Sequence, residues 1–218
     1  MPLLFNKANM EYNGKQVQIM ETAEILFAEK GFNGTSVRDI AEKANVNLAM
    51  VSYYFGSKDK LLEALFNYRG EYLKLKLENI IEDKKLNSLE KINLLIDHYV
   101  DKVMSQQCFS RIMVREQVLN HTGITAELIF QMKKRNQELI TRLIHQGQKK
   151  GEFKKNIDIP LMMVTMIGTG NNMVATQHYY RQINNLQSMS EEEFQKHIKK
   201  KLSQHLKKIF KAILTNEE

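Results

Sequence analysis

The apolar residues of this chain recur at intervals of three and four residues along most of its length. This spacing places them on one face of an α-helix, which turns once every ~3.6 residues. One early row is Ile19, Ala23, Leu26 and Phe27, and the last is Phe194, Ile198, Leu202, Leu206, Ile209, Phe210 and Ile213. Only 2 of the 218 residues are proline, and we find no convincing strand pattern. The sequence therefore predicts an all-α fold.

The composition narrows the class of protein and its compartment. Because 43% of the residues are hydrophobic, the chain can bury a core, which excludes general disorder. The lone cysteine, Cys108, excludes an internal disulfide framework and a multi-cysteine zinc site. The longest apolar stretch, residues 157–168, is too short and too interrupted to span a bilayer. The first residues lack the features of a signal peptide, so we expect a cytoplasmic protein.

Residues 37–55 have the pattern of a helix-turn-helix, in which two short helices cross closely. The small residue needed at the crossing is Ala41, and the tight turn can use Asn45, which tolerates a positive φ. Asn47 then supplies a cap for the second helix. The apolar positions that face the small core are Ile40, Ala44, Val46 and Val51. On this pattern alone, an αα-hairpin without a nucleic-acid role stays open.

The residues around this motif carry a more specific similarity. The segments 19–32 (IMETAEILFAEKGF), 35–41 (TSVRDIA) and 54–62 (YFGSKDKLL) follow one another in this order. Over about residues 15–75 the chain resembles the amino-terminal domain of the TetR family of transcriptional repressors. The resemblance implies a homodimer that binds double-stranded operator DNA through two recognition helices. It further implies a divergent, all-helical second domain that often binds a small ligand and then releases the DNA.

The chain divides accordingly into four predicted segments. A flexible arm covers residues 1–14, and the helix-turn-helix domain with its three helices covers residues 15–56. A connecting helix follows at residues 57–82, and a larger helical bundle for regulation and dimerisation takes residues 83–218. The basic excess lies mostly outside the DNA-binding segment, because residues 83–156 hold 14 basic and 8 acidic groups. The prediction of DNA binding therefore rests on the motif and not on the net charge of +7.

The resemblance assigns DNA contacts to ten residues. Phosphate contacts are expected from Thr35, Ser36, Arg38, Tyr54 and Lys58. Base contacts are expected from the exposed positions of the second helix, which are Asn47, Leu48, Ala49, Ser52 and Tyr53. Since neither Leu48 nor Ala49 can donate to guanine, Asn47, Ser52 and DNA shape carry more of the expected readout. The alternatives are a solvated surface for Arg38 and Lys58 and partial burial for Tyr54.

The resemblance also implies that the last two long helices, at about residues 159–180 and 194–214, pair the two protomers. We interpret the apolar row from Phe194 to Ile213 as the pairing surface, with burial inside one chain as the alternative. Gly168 and Gly170 lie in mid-helix, where a close helix approach or a kink would justify them. The 12 methionines suit an apolar ligand pocket, although ordinary core packing also explains them. Candidate pocket residues are Phe109, Met113, Gln117, Met166 and Asn171.

Other functional classes find little support in the sequence. We find no nucleophile elbow, phosphate-binding loop or dinucleotide fingerprint, and the six histidines include no i, i+4 pair. We therefore predict no enzyme, no cofactor and no metal site. A protein that binds a membrane or a protein partner through residues 199–201 and 207–208 is the alternative, but such lysine runs usually form a solvated face.

Overall fold

The computed structural model of the chain describes residues 12–119 and 121–216, and it describes residues 72 and 73 by their backbone alone. The described residues form helices and no strand, so the expected all-α fold is confirmed. The helices are α1 (Gly14–Lys30), α2 (Val37–Lys43), α3 (Leu48–Phe55), α4 (Lys58–Glu82), α5 (Ser88–Ser105), α6 (Gln107–Leu119), α7 (Ile124–Lys149), α8 (Ile159–Ile183) and α9 (Glu191–Leu214). Of the predicted arm, residues 1–11 lie outside the described residues, and Asn13 caps α1.

Most helices begin at a residue whose side chain caps the first turn. The Ser36 hydroxyl accepts a hydrogen bond from the backbone N–H of Asp39 at the start of α2. In the same way Asp158 caps α8, whose first turn also contains Pro160. Ser190 caps α9, and its partner Glu193 completes a reciprocal capping box. These caps satisfy donors that the first helical turn cannot satisfy internally.

The chain packs as two compact units. The first contains the described residues up to Lys76 together with Arg111–Met132, and the second contains Leu77–Ser110 and the described residues from Lys133 onward. Helices α4, α6 and α7 each contribute residues to both units. The predicted division did not place Arg111–Met132 in the first unit, because it assigned residues 83–218 to one domain. The predicted segment boundaries stay a proposal.

The core of the first unit is formed mainly by α1 to α4. Its fully buried side chains include Ile19, Met20, Phe27, Ile40, Leu61, Leu62 and Leu65. One ion pair lies within this apolar surrounding: Glu24 of α1 is 3% exposed, and its Oε2 accepts from Arg69 Nε at 2.8 Å and Nη2 at 2.6 Å. This pair joins α1 to α4, and a buried carboxylate of this kind depends on its partner.

The second unit shows that the interpretation of the last apolar row was wrong. Phe194, Ile198, Leu202, Leu206 and Phe210 are at most 3% exposed in a single chain. Helix α9 packs this face mainly on α5 and also contacts α8. Polar bonds flank the same face, since Asp97 of α5 accepts from Ser203 Oγ at 2.5 Å and from Lys207 Nζ at 2.6 Å. Five of the seven residues of the row are therefore intramolecular core, as the alternative interpretation had it, and Ile209 and Ile213 are half-buried.

Candidate DNA-binding surface

The turn between α2 and α3 has the geometry that the helix-turn-helix requires. Asn45 adopts a φ of 50°, in the left-handed region where asparagine is tolerated better than most residues. The turn is held by backbone bonds from Asn45 N to Glu42 O at 3.0 Å and from Val46 N to Ala41 O at 3.0 Å. Gln18 of α1 donates to Ala44 O at 2.8 Å, so the turn is also tied to the first helix. These bonds fix the direction in which α3 leaves the turn.

Helix α3 turns one face into the core and the other to solvent. Val51 and Phe55 are buried and anchor the helix on the core side. The five residues predicted to read bases are all exposed on its other side: Asn47, Leu48, Ala49, Ser52 and Tyr53. Tyr53 is 83% exposed, so its side chain is presented to solvent. The structure thus brings the predicted base-reading set together on one short helix.

Asn47 has a capping role that limits how it can contact a base. Its Oδ1 accepts from Ala49 N at 2.8 Å and thereby caps α3. The amide NH₂ makes no hydrogen bond to any described residue, so it can donate to an acceptor on a base edge. Asn47 is therefore suited to donate to acceptor atoms such as guanine N7 and O6 or thymine O4.

Thr35 and Ser36, which are both predicted to contact phosphates, have different surroundings at the start of α2. Thr35 is 2% exposed, and its hydroxyl donates to Gly31 O at 2.8 Å. Ser36 is exposed, but its hydroxyl donates to Asp39 Oδ2 at 2.7 Å, and its backbone N–H donates to the same oxygen at 2.8 Å. These bonds to Ser36 also hold the pKa of Asp39 below its usual value. The Thr35 side chain is thus placed inside the packing, and only Ser36 lies at the surface.

Arg38 and Lys58, the two basic residues predicted to contact phosphates, also differ in their exposure and in their bonds within the protein. Arg38 is exposed and pairs with no other described residue. Lys58 is half-buried, and its ammonium donates to Phe32 O at 2.9 Å and to Thr35 O at 3.0 Å. The same ammonium lies 4.3 Å from the centre of the Phe32 ring. Arg38 is therefore the cation presented to solvent, whereas Lys58 fastens the α1–α2 connection to the first turn of α4.

Tyr54 lies half-buried beside the exposed face of α3. Its ring contacts Tyr53 edge-on, with 5.3 Å between centroids, and Phe55 with 6.4 Å. Its hydroxyl makes no hydrogen bond to any described residue. The half-burial matches the alternative reading, while the unbonded hydroxyl is suited to a phosphate contact.

The sequence did not predict one contact of the first unit, in which α6 bonds to the carboxyl end of α1. Arg115 of α6 donates to Glu29 O at 3.2 Å and to Lys30 O at 3.3 Å, where α1 ends. A cation on these last carbonyls stabilises a helix carboxyl end. No sequence pattern marks Arg115, because it lies 85 residues away from Lys30. Glu24 could have been suspected, since it lies beside the buried row of α1.

The candidate ligand residues do not all belong to one unit. Phe109, Met166 and Asn171 belong to the second unit, and Met113 and Gln117 belong to the first. Phe109 is 3% exposed, whereas the other four are half-buried. A cavity of about 710 Å³ in the second unit is lined by Gly151, Glu152, Phe153, Lys154, Lys208, Lys211, Ala212, Thr215 and Asn216. None of the five candidates lines this cavity.

The two mid-helix glycines of α8 have different surroundings. A Cβ atom on Gly170 would lie 2.3 Å from the Tyr99 hydroxyl oxygen, and this hydroxyl donates to Ile167 O at 3.2 Å. Gly170 is therefore explained by the close approach of α5. A Cβ on Gly168 would meet nothing within 4 Å. Around it on the outer face of α8 lie four exposed apolar side chains: Leu161, Val164, Tyr179 and Ile183.

Two further properties of the described residues bear on the alternative classes of function. Among the helices of the described residues, none combines the length and hydropathy needed to cross a bilayer. The described residues also contain no cluster of three or more potential metal ligands from histidine, cysteine, aspartate and glutamate.

Comparison with solved structures agrees with this architecture. The structure of the ketosteroid transcriptional regulator KstR2 of Mycobacterium tuberculosis superposes with a TM-score of 0.69. It is 21% identical and covers 95% of this chain and 98% of that one. The regulator FadR from Bacillus subtilis, solved in complex with stearoyl-CoA, superposes with a TM-score of 0.64. It is 20% identical and covers 87% of this chain and 96% of that one. At these identities the similarity establishes the fold.

Sequence comparison identifies the family. The "Probable HTH-type transcriptional regulator YttP" of Bacillus subtilis (strain 168) is 31% identical over 62% of this chain and 66% of that protein. The model of bacterial regulatory proteins of the tetR family matches residues 19–65. The model of the Tetracyclin repressor-like C-terminal domain matches residues 89–204, which is more than half of the chain. The chain therefore belongs to the TetR family of transcriptional regulators.

Proposed function

We propose that this regulator binds operator DNA as a homodimer, with α3 of each protomer in the major groove. The observation that carries this proposal is the exposed set on α3, held by a turn of the required geometry at Asn45. A recognition helix must present side chains that the core does not use, and α3 meets this condition. The exposed Arg38 and the free hydroxyl of Tyr54 supply flanking phosphate contacts, together with Ser36 and the first-turn N–H groups of α2.

Footprinting on the promoter next to the regulator's own gene tests this proposal. The expected result is protection of two half-sites whose centres lie about 34 Å, or one helical turn, apart, or somewhat more on an overwound site. Ser52→Ala, which leaves the Asn47 cap of α3 in place, is expected to weaken specific binding more than binding to unrelated DNA. An equal loss on both kinds of DNA would contradict base reading by α3.

The proposed dimer interface is the outer face of α8, together with the adjoining part of α9. Gly168 supports it, because a mid-helix glycine costs about 1 kcal/mol relative to alanine and no neighbour among the described residues requires it. A partner helix that approaches closely would require it. The flanking residues Leu161, Val164 and Tyr179 are each more than 60% exposed in the single chain. Such a row of exposed apolar residues is typical of an interface.

Sedimentation velocity tests the dimer directly. Leu161→Glu is expected to shift the protein to monomer, because it places a charge in the interface. The matched control is Leu94→Glu, which makes the same change at an exposed position of α5. A dimer that survives Leu161→Glu, or that dissociates equally with the control, would contradict this interface.

We further propose that a small apolar effector binds in the second unit and weakens DNA binding, and that the protein acts in the cytoplasm. The buried Met162 and Met163 of α8 support this proposal, since methionine adapts to irregular apolar ligands. The FadR neighbour was solved with stearoyl-CoA, and the "Fatty acid metabolism regulator protein" of Bacillus subtilis is 25% identical to this chain. Phe109, Met166 and Asn171, the three candidates that belong to the second unit, stay the proposed effector contacts.

A further inference from the structure

Helix α3 has no charged side chain, which limits the bases that it can read. Its sequence is LAMVSYYF, so its polar side chains are a serine and two tyrosines. The nearest lysines on either side of it in the chain already have partners. Lys43 Nζ lies 3.3 Å from Glu29 Oε2, and Lys58 donates to two backbone carbonyls. A guanine is most often read by an arginine or lysine and a cytosine by a carboxylate, and α3 supplies neither group.

The start of α3 instead places a hydrogen-bond donor beside an apolar side chain. The Oδ1 of Asn47 accepts from Ala49 N at 2.8 Å, so the group that Asn47 can offer to DNA is its amide NH₂. Leu48 follows directly and is 39% exposed although it is apolar. Ala49 is also exposed and is too small to hold a base edge away from the helix. The first residues of a recognition helix are those that contact base edges in this class of motif.

Thymine is the base whose major-groove edge complements this pair of groups. It presents an acceptor, O4, beside an apolar group, the methyl on C5. Guanine presents two acceptors, adenine an acceptor and a donor, and cytosine a donor without a methyl group. Packing of the thymine methyl on a leucine side chain removes apolar surface of both from water. The chemistry of Asn47 and Leu48 therefore favours thymine over the other three bases.

We propose that Leu48 determines operator specificity by packing on the 5-methyl group of a thymine in each half-site. Ala49 permits the close approach, and the Asn47 NH₂ donates to O4 of the same thymine or of its neighbour. This inference rests on the proposed function, in which α3 lies in the major groove, and it names the base that the helix reads. The rival is a guanine contact from Arg38, the exposed arginine of α2.

The first step of the experiment selects bound duplexes from random double-stranded DNA with the full chain. We expect two half-sites, each with a fixed T·A pair. Each fixed thymine is then replaced by deoxyuridine, which removes the methyl group and keeps O4. Fluorescence anisotropy with the parent protein should show about fourfold weaker binding for one substituted half-site and about fifteenfold for both, as expected for one buried methyl per protomer.

Leu48→Ala tests whether the lost methyl contact belongs to this residue. The variant is expected to bind the selected operator about fourfold to tenfold more weakly and to bind the thymine and deoxyuridine operators equally. The matched control is Ile25→Ala, which truncates an apolar residue of α1 that is 38% exposed. It should keep the full preference for thymine. Unfolding followed by circular dichroism should give similar Tm values for both variants, because the two positions are almost equally exposed.

Four results would overturn the inference. Parent binding that is the same with deoxyuridine at every fixed thymine would exclude a methyl contact. A thymine preference that persists in Leu48→Ala would assign the effect to another residue or to DNA shape. Half-sites with a fixed guanine and no fixed thymine would favour Arg38, and Arg38→Ala would then relax that position. In these three cases the proposed function still stands, whereas a selection that enriches no sequence would overturn both.

Discussion

Lys58 provides the sharpest test of how the DNA-binding surface is built. The resemblance to the family assigned it to a phosphate, but its ammonium donates to two carbonyls of the α1–α2 connection. Lys58→Met keeps the length and apolar character of the side chain and removes the charge. If the two bonds dominate, the change loosens the connection that positions Ser36 and α2. If a phosphate contact dominates, the change removes one ionic contact per protomer instead.

The two outcomes differ in size and in salt dependence. A hydrogen bond from a charged donor contributes about 1.5 to 3 kcal/mol when well buried, and the ring contact adds about 0.5 to 1 kcal/mol. Because Lys58 is only half-buried, we discount these values and expect a loss of about 1 to 3 kcal/mol in unfolding free energy. A phosphate contact would lower the slope of log K against log salt by about 0.9 for each protomer.

Denaturant unfolding and DNA binding at several salt concentrations measure both quantities. We expect Lys58→Met to lower stability and DNA affinity together while the salt slope stays unchanged. Lys60→Met is the matched control, because Lys60 lies in the same first turn and its ammonium donates to the Glu63 carboxylate at 2.8 Å. Unchanged stability with a reduced salt slope would refute the positioning role and restore the phosphate assignment.

Three further outcomes are expected. Arg38→Ala should reduce the salt slope by about 0.9 per protomer with little effect on stability, and an unchanged slope in a salt titration would argue against a phosphate contact. Arg69→Met should cost about 3 to 5 kcal/mol in chemical denaturation, because it removes the guanidinium that contacts the buried Glu24 carboxylate at 2.6 Å, whereas the double variant with Glu24→Leu should recover most of the loss. Gly170→Ala should lower the Tm because its Cβ would overlap the Tyr99 hydroxyl, and a Tm equal to the parent's would show that α5 can move aside.

Much of the DNA-binding unit could be predicted from the sequence because its signals are local. Three of its features depend on residues within three positions of one another: the positive φ of Asn45, the cap formed by Asn47 and the cap formed by Ser36. The exposed face of α3 follows from the spacing of Val51 and Phe55. Local rules of this kind apply before any tertiary contact forms.

Periodicity could not identify what covers each apolar face. The row from Phe194 to Phe210 has the spacing of a helix–helix interface, but an apolar stripe reads the same whether its partner is in the same chain or another one. Here α5 covers it. The proposed interface on α8 is a weaker pattern in sequence, since glycine and asparagine interrupt it.

The helical fold, the helix-turn-helix with its caps, and the family can be predicted from the amino-acid sequence, because these depend on spacing and on short-range hydrogen bonds. Three other features follow from tertiary packing: Thr35 is buried beside an exposed Ser36, Lys58 bonds carbonyls 23 and 26 residues away, and Glu24 pairs with Arg69. Each of these depends on the burial of a polar group, which is set by residues distant in the chain. Burial decides whether a charge is free for DNA or already bonded within the protein.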